Sequence, residues 1–182
     1  GIDYDQDLDA GRKLDHFIRR VQAVLSDLGG WLLQLTIGDK GSYLYAAFGA
    51  PLAHEDDPAR ALSAALRLRE LDPQCQIGAS LGSMRTGAYG SHTRRTYGVL
   101  GDETNLAARL MQAAQPGQIL VSERMANLLT DFELRPIGST GLKGVAQAVV
   151  IYEVRGRQRR HPTPAAAPLI GRALERAALL EK

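Results

Sequence analysis

The sequence predicts an α+β domain in which helices pack on one largely antiparallel sheet. Three segments carry apolar residues at the helical period, and short apolar segments bounded by glycine turns read as strands between them. Their order is helix, hairpin, helix, strand, hairpin, helix, strand, which is typical of an α+β fold. The 182 residues are enough for one folded domain with a hydrophobic core and terminal extensions.

The first half of the chain is predicted to contain a hairpin between two helices. Gly29-Gly30 ends the first helix, and Pro58 stands in the first turn of the second, where a missing N–H is tolerated. The predicted elements are a helix over 9–28, strands over 31–37 and 42–48, and a helix over 57–71.

The second half contains more strands and one long helix. On that helix Leu106, Leu110 and Ala113 form an apolar stripe that we expect to face the core. The predicted elements are strands over 76–83, 86–89 and 96–100, a helix over 102–114, a strand over 118–121, a short helix over 123–129, and strands over 132–136 and 148–154.

Composition excludes several classes of protein. A net charge of +2 and 5% aromatic residues argue against a nucleic-acid partner, which needs a basic face with stacking aromatics. No run of about 20 apolar residues exists, so we expect no membrane span. Cys75 is the single cysteine, which excludes an intrachain disulfide and fits a cytoplasmic location.

The C-terminal part changes character after residue 154. Residues 155–168 contain three prolines and three consecutive alanines and are predicted to be a linker. The arginines within it, at 155, 157, 159 and 160, are interpreted as solvated linker charges, with an anion-binding patch as the alternative. Residues 169–182 resume a helical pattern and are predicted to begin a further domain.

The densest chemical signal lies in residues 97–110, where a strand runs through a glycine turn into a helix. Asp102 and Glu103 stand at the helix start, where the helix dipole favours negative charge. Asn105 and Arg109 are four residues apart and therefore share one helix face. An amide beside a guanidinium suits an anionic ligand that develops charge, such as a phosphoryl group in transfer. The alternative is that both are ordinary surface residues of an amphipathic helix.

This segment resembles the signature of class III adenylate and guanylate cyclases, in which a glycine turn leads into an Asn-x-Ala-Ala-Arg-Leu helix. The resemblance extends in order over 1–154 and implies a ferredoxin-like βαββαβ core. It implies that Asn105 orients the ribose and that Arg109 stabilises the α-phosphate in the transition state. Further matching segments are 41–51, 54–61, 77–90, 116–122 and 142–154.

The two metal-binding Asp positions of the family are not matched. Gly1-Ile2 stands where an Asp-Ile pair is usual, and Asp3 takes that place only in a shifted alignment. Ser42 stands six residues before Phe48, where the second Asp is expected, and Asp39 is three residues too early. The resemblance therefore implies no metal ligand in this chain. A second cyclase domain, in the same or another chain, would form a dimer with this one and would supply Mg²⁺ or Mn²⁺.

The substrate-binding positions resemble those of the second, non-metal-binding half of bicarbonate-responsive soluble adenylyl cyclases. Asp-Lys-Gly in the first hairpin implies that Lys40 reads adenine, and Lys143 in Leu-Lys-Gly matches a triphosphate-binding lysine. Both lysines could instead be exposed turn residues. Gly98, seven residues before Asn105, takes the second base-recognition position but offers no side chain to read a base.

The resemblance implies half of a purine nucleotide cyclase site for intracellular signalling. The implied reaction converts ATP to cyclic AMP and pyrophosphate, and the alternative substrate is GTP, which would give cyclic GMP. We expect this chain to be inactive without a metal-binding second half. The alternative is an inactive regulatory module that binds nucleotide or a small anion. It would control the following domain, because Leu169-Ile170-Gly171-Arg172 resembles the beginning of an ATPase domain.

Overall fold

A computed structural model describes residues 6–38, 41–140 and 148–158. The predicted α+β class and the order of elements are confirmed. The elements are α1 (Ala10–Asp27), β1 (Trp31–Gly38), β2 (Gly41–Ala47), α2 (Asp57–Leu71), β3 (Ile77–Ala79), β4 (Arg85–Gly90), β5 (Arg95–Leu100), α3 (Asp102–Ala113), β6 (Ile119–Ser122), α4 (Glu123–Ala126), β7 (Phe132–Thr140) and β8 (Val149–Arg157).

The described strands form three hydrogen-bonded sheets, not the single sheet that the sequence predicted. The largest has the order β3-β6-β8-β7, while β1-β2 and β4-β5 are separate antiparallel hairpins. Within the large sheet β3 and β6 run parallel, and the other pairs are antiparallel. The parallel pair arises because the connection between β3 and β6 contains a hairpin and α3, which returns the chain to the starting end of the sheet.

The large sheet carries apolar side chains on both faces because its strands alternate. One face packs against α2 and α4 around the fully buried Leu62, Ile119 and Val121. The other face packs against α3, where Leu110 and Ala114 contact the buried Leu120 and Ile151. The core therefore lies on both sides of β6 and fixes α3 in place.

Ala113 was predicted to face the core, but this prediction is wrong. Ala113 is exposed and Ala114 is buried, at 3% exposure. The helix ends at Ala113, and the extended backbone of Ala114 turns its methyl group toward the sheet.

The strand predicted over 76–83 is much shorter in the structure, since β3 ends at Ala79. The hydroxyl of Ser80 donates a hydrogen bond to the backbone oxygen of Glu103 at 2.6 Å, so the chain leaves the sheet to contact α3. The helix predicted over 123–129 also ends early, at Ala126.

Strand β8 continues to Arg157, three residues into the predicted linker. Arg155 pairs with Glu153 at 3.1 Å, and Arg157 donates to the hydroxyl of Ser63 at 2.8 Å and lies 5.3 Å above the ring of Phe132. These two arginines therefore belong to strand β8 and not to a linker, while both remain exposed. Residues 159–168 of the predicted linker, and residues 169–182, lie outside the described residues.

The two hairpins pack on each other. Ala47 and Ala50 contact the buried Val99 of β5, with Tyr45 and Tyr97 at the edge of this cluster. None of the helices in the described ranges is long and apolar enough to cross a membrane.

Candidate functional site

Helix α3 begins directly after β5, with Gly101 as the residue between them. The N–H of Thr104 donates to the oxygen of Gly101 at 3.1 Å and closes the first turn. Asp102 and Glu103 lie in that turn, as predicted. A Cβ built on Gly101 would lie 3.0 Å from Cγ of Met84, so a small residue suits this junction.

Asn105 and Arg109 lie one turn apart on α3, as the sequence predicted. Asn105 is exposed and Arg109 is half-buried. Nη1 of Arg109 donates to Oε1 of Gln112 at 3.0 Å, which restrains the guanidinium on the helix surface. Because Leu110 is fully buried against the sheet, the helix is fixed while its amide and guanidinium groups stay accessible to an anionic ligand.

Close backbone contact holds α3 on β3. A Cβ built on Gly78 would overlap the backbone oxygen of Ala107 and the backbone nitrogen of Met111. Only glycine allows this approach, because every other residue would push the helix off the strand. The close contact at Gly78 thus fixes the distance between β3 and the part of α3 that carries Asn105 and Arg109.

A second attachment joins α3 to both hairpins, and the sequence did not indicate it. The hydroxyl of Tyr45 in β2 lies 3.0 Å from the hydroxyl of Thr104 in α3. Both hydroxyls also lie within reach of the backbone oxygen of Val99, at 3.4 and 3.5 Å. Tyr45 and Thr104 are 59 residues apart, so no local pattern could pair them.

Gly98 lies in β5 opposite Gly87 of β4. A Cβ built on Gly98 would lie 3.2 and 3.3 Å from Cδ2 and Cε2 of Tyr89, so the tyrosine ring covers the position where a side chain at 98 would stand. The predicted base-recognition position is therefore occupied by an aromatic ring from the neighbouring strand. Tyr89 was not singled out from the sequence.

An open groove of about 480 Å³ lies where β4 and β5 meet the start of α3. Its lining residues are Ser83, Met84, Arg85, Leu100, Gly101 and Asp102. The groove adjoins the first turn of the helix that carries Asn105 and Arg109.

Two of the predicted substrate-binding residues, Lys40 and Lys143, lie outside the described residues, as do Asp3 and Asp39. Their roles stay predictions. Gly98 lies in β5, and Asn105 and Arg109 lie in α3, the helix that follows that strand.

The described residues do not fit a metal site of the cyclase type. Ser42 lies in β2 opposite Ile37 and presents a neutral hydroxyl, whereas Mg²⁺ and similar cations need carboxylate ligands. Across residues 6–38, 41–140 and 148–158, no three His, Cys, Asp or Glu side chains lie close enough to hold a metal ion.

Comparison with known proteins gives the family. Residues 36–156, more than half of the chain, match the family model described as the adenylate and guanylate cyclase catalytic domain. The crystal structure of the adenylyl cyclase CyaB from P. aeruginosa superposes with a TM-score of 0.76 at 26% identity, covering 86% of this chain and 87% of that one.

Two curated relatives are much longer than this chain. An uncharacterized protein of Mycobacterium tuberculosis, Rv1320c, is 39% identical over 93 residues, which are 47% of this chain and 16% of that protein. Human adenylate cyclase type 10 is 27% identical over 168 residues, which are 87% of this chain and 10% of that protein. The chain thus spans a small part of either relative. Together with the fold and the Asn-x-x-x-Arg helix, the family match shows that this chain belongs to the adenylate and guanylate cyclase catalytic domains.

Proposed function

We propose that this domain supplies the transition-state half of an adenylate cyclase site, which converts ATP to cyclic AMP and pyrophosphate. One observation carries the proposal: Asn105 and Arg109 lie accessible and one turn apart on α3, beside an open groove, in a chain of the cyclase family. We take ATP as the substrate because CyaB and the human relative are both named as adenylate cyclases, and GTP is tested as well because the guanylyl cyclase Cya2 is 25% identical.

The reaction assigns one role to each residue. The ribose 3′-oxygen of ATP attacks the α-phosphorus and loses its proton, the bond from that phosphorus to the bridging oxygen breaks, and pyrophosphate leaves. Asn105 would hold the ribose so that the 3′-oxygen is in line with the leaving group. Arg109 would donate to the α-phosphate oxygens, where negative charge grows in the transition state.

The other half of the site would come from a second cyclase domain, because Ser42 offers no carboxylate. That domain would hold Mg²⁺ or Mn²⁺ through its own Asp pair and would form a dimer with this one. Cyclase domains act as dimers and use divalent metal ions, which supports this division of roles. Within this chain Lys40 would contact adenine and Lys143 the triphosphate.

The experiment compares variants of the full-length protein, in the presence of a cyclase domain that carries the metal-binding Asp pair, in a cyclase assay with ATP or GTP and either Mg²⁺ or Mn²⁺. We expect Asn105→Ala and Arg109→Ala each to lower kcat by on the order of 10²-fold, as removal of one transition-state donor does in other enzymes. Asn127→Ala and Arg124→Ala are matched controls, since both residues are exposed, Arg124 on α4 and Asn127 directly after it.

Unchanged turnover in both α3 variants would contradict the assignment of roles. If the wild-type protein binds ATP but forms no cyclic nucleotide with either metal, the domain is instead a regulatory nucleotide-binding module. A higher kcat/KM for GTP than for ATP would overturn the substrate assignment alone.

A further inference from the structure

The outer face of the β4–β5 hairpin is an open surface with an unusual composition. Side chains alternate along the two strands, and Val99 and Tyr97 turn toward the β1–β2 hairpin. The opposite face carries three cross-strand pairs, Arg85 with Leu100, Gly87 with Gly98, and Tyr89 with Thr96. Tyr89 and Leu100 are 45% and 53% exposed, so two large apolar side chains stand on either side of a glycine pair.

The ring of Tyr89 is positioned by the absence of a side chain at Gly98. Its Cδ2–Cε2 edge lies where a Cβ at 98 would be in tight contact, so the ring rests against the strand. Over Gly87, in contrast, a built Cβ meets nothing within 4 Å. The hairpin therefore presents an aromatic ring next to an open space, and the backbone of Gly87 forms the floor of that space.

This surface is continuous with the groove at α3. Arg85 and Leu100 belong to both, and the row of the glycine pair lies about 7 Å from the row of Leu100. Arg85 lines the groove and places positive charge on the groove side of the tyrosine. An aromatic ring at one end and a guanidinium group toward the other complement a ligand with a flat ring and a phosphate chain.

We propose that Tyr89 is the platform for the purine base of the nucleotide, which stacks on its ring in the space over Gly87. This inference rests on the proposed function and adds to it a residue that binds the purine ring. Stacking reads the face of a base and not its edge, so the platform supports adenine and guanine alike. Discrimination between the two bases is left to other groups of the site.

The test measures equilibrium binding of 3′-deoxy-ATP and 3′-deoxy-GTP to the full-length protein, since neither analogue carries the attacking hydroxyl. We expect Tyr89→Ala to weaken binding of both analogues by a similar factor, roughly 5- to 30-fold. Tyr89→Phe keeps the ring and should stay within about twofold of wild type. Gly87→Leu fills the open space and should weaken both analogues without altering the tyrosine.

Two controls separate stacking from general damage. Tyr43→Ala removes another tyrosine, 46% exposed, from β2 and should not change either affinity. Tyr89→Leu keeps an apolar cover over Gly98 but has no aromatic face, so it should bind as weakly as Tyr89→Ala while unfolding at the wild-type temperature.

The outcomes distinguish this inference from the proposed function. Equal affinities of wild type, Tyr89→Ala and Gly87→Leu would overturn the platform, even if Asn105→Ala abolishes turnover. Weakened binding in Tyr89→Ala combined with unchanged turnover in Asn105→Ala would keep the platform and reject the cyclase roles. A change in association state without a change in nucleotide affinity would show that this face contacts a protein, which also contradicts the proposal.

Discussion

The hydroxyl of Tyr45 lies 3.0 Å from the hydroxyl of Thr104 and connects strand β2 to the first turn of the helix that carries Asn105 and Arg109. Both hydroxyls share the backbone oxygen of Val99 as a neighbour. The two hairpins and α3 are therefore joined at one point. Movement of the first hairpin would be transmitted to the residue next to Asn105.

Removal of the Tyr45 hydroxyl should weaken this junction. We expect Tyr45→Phe to lower the free energy of unfolding by about 1 kcal/mol, the usual contribution of one half-buried hydrogen bond. Thr104→Val should have a similar effect, and the double variant should cost less than the sum because the two groups share one interaction. Urea unfolding measures all three.

Tyr43→Phe is the matched control for this cycle, because Tyr43 lies two residues away in the same strand and is 46% exposed. It should change the free energy of unfolding by less than about 0.5 kcal/mol. Full additivity of Tyr45→Phe and Thr104→Val would show that the two hydroxyls do not interact.

Substitution of Gly78 should displace α3. A methyl group there would overlap the backbone of Ala107 and Met111, and backbone atoms of a packed helix cannot move aside cheaply. We expect Gly78→Ala to destabilise the domain by about 3 kcal/mol, in the upper range for overpacked cores. Gly156→Ala is the control, since a Cβ on Gly156 meets nothing within 4 Å. Thermal unfolding of both variants measures this difference. Equal midpoints for Gly78→Ala and Gly156→Ala would contradict the role of Gly78.

Gln112 should position Arg109 without contacting substrate. Loss of its hydrogen bond in Gln112→Ala frees the guanidinium, and an exposed hydrogen bond of this kind is worth about 0.5–1 kcal/mol. We therefore expect kcat for cyclic nucleotide formation to fall by roughly two- to fivefold with little change in KM. Gln112→Glu should retain most of the rate, because the carboxylate still accepts from Arg109. A raised KM with unchanged kcat would point to substrate contact instead.

Cys75 should be unreactive in the folded protein. Burial raises the pKa of its thiol from 9.0 to about 11, and only the thiolate reacts with alkylating agents. At pH 8 we expect iodoacetamide to modify the folded protein at least roughly tenfold more slowly than the protein unfolded in urea. Equal rates would show that the thiol is accessible and unperturbed.

The same shift predicts a pH dependence of stability. Because the folded pKa is raised, the folded state holds the thiol proton more tightly than the unfolded state does. Stability should therefore decrease as pH rises from about 9 to about 11. Cys75→Ala should flatten this part of the stability curve, as measured by urea unfolding at each pH.

Local patterns in the sequence were enough to predict where most helices lie and which residues share a face of α3. Apolar residues at the helical period and a proline in the first turn were enough to predict α2 over 57–71, the bounds that the structure shows. The spacing of Asn105 and Arg109 placed them on one face of α3, because neighbours at i and i+4 follow from helix geometry alone. The order of the matching segments was enough to indicate the cyclase family.

Contacts between distant segments were decided only by tertiary structure. No local pattern pairs Tyr45 with Thr104, lays the ring of Tyr89 over Gly98, or carries β8 onward to Arg157, where Ser63 and Phe132 bind it. Periodicity describes a helix or strand in isolation, whereas these contacts depend on how whole elements pack around a shared core. The sequence therefore placed Asn105 and Arg109 on one helix face, and only the fold showed that the ring of Tyr89 lies against Gly98.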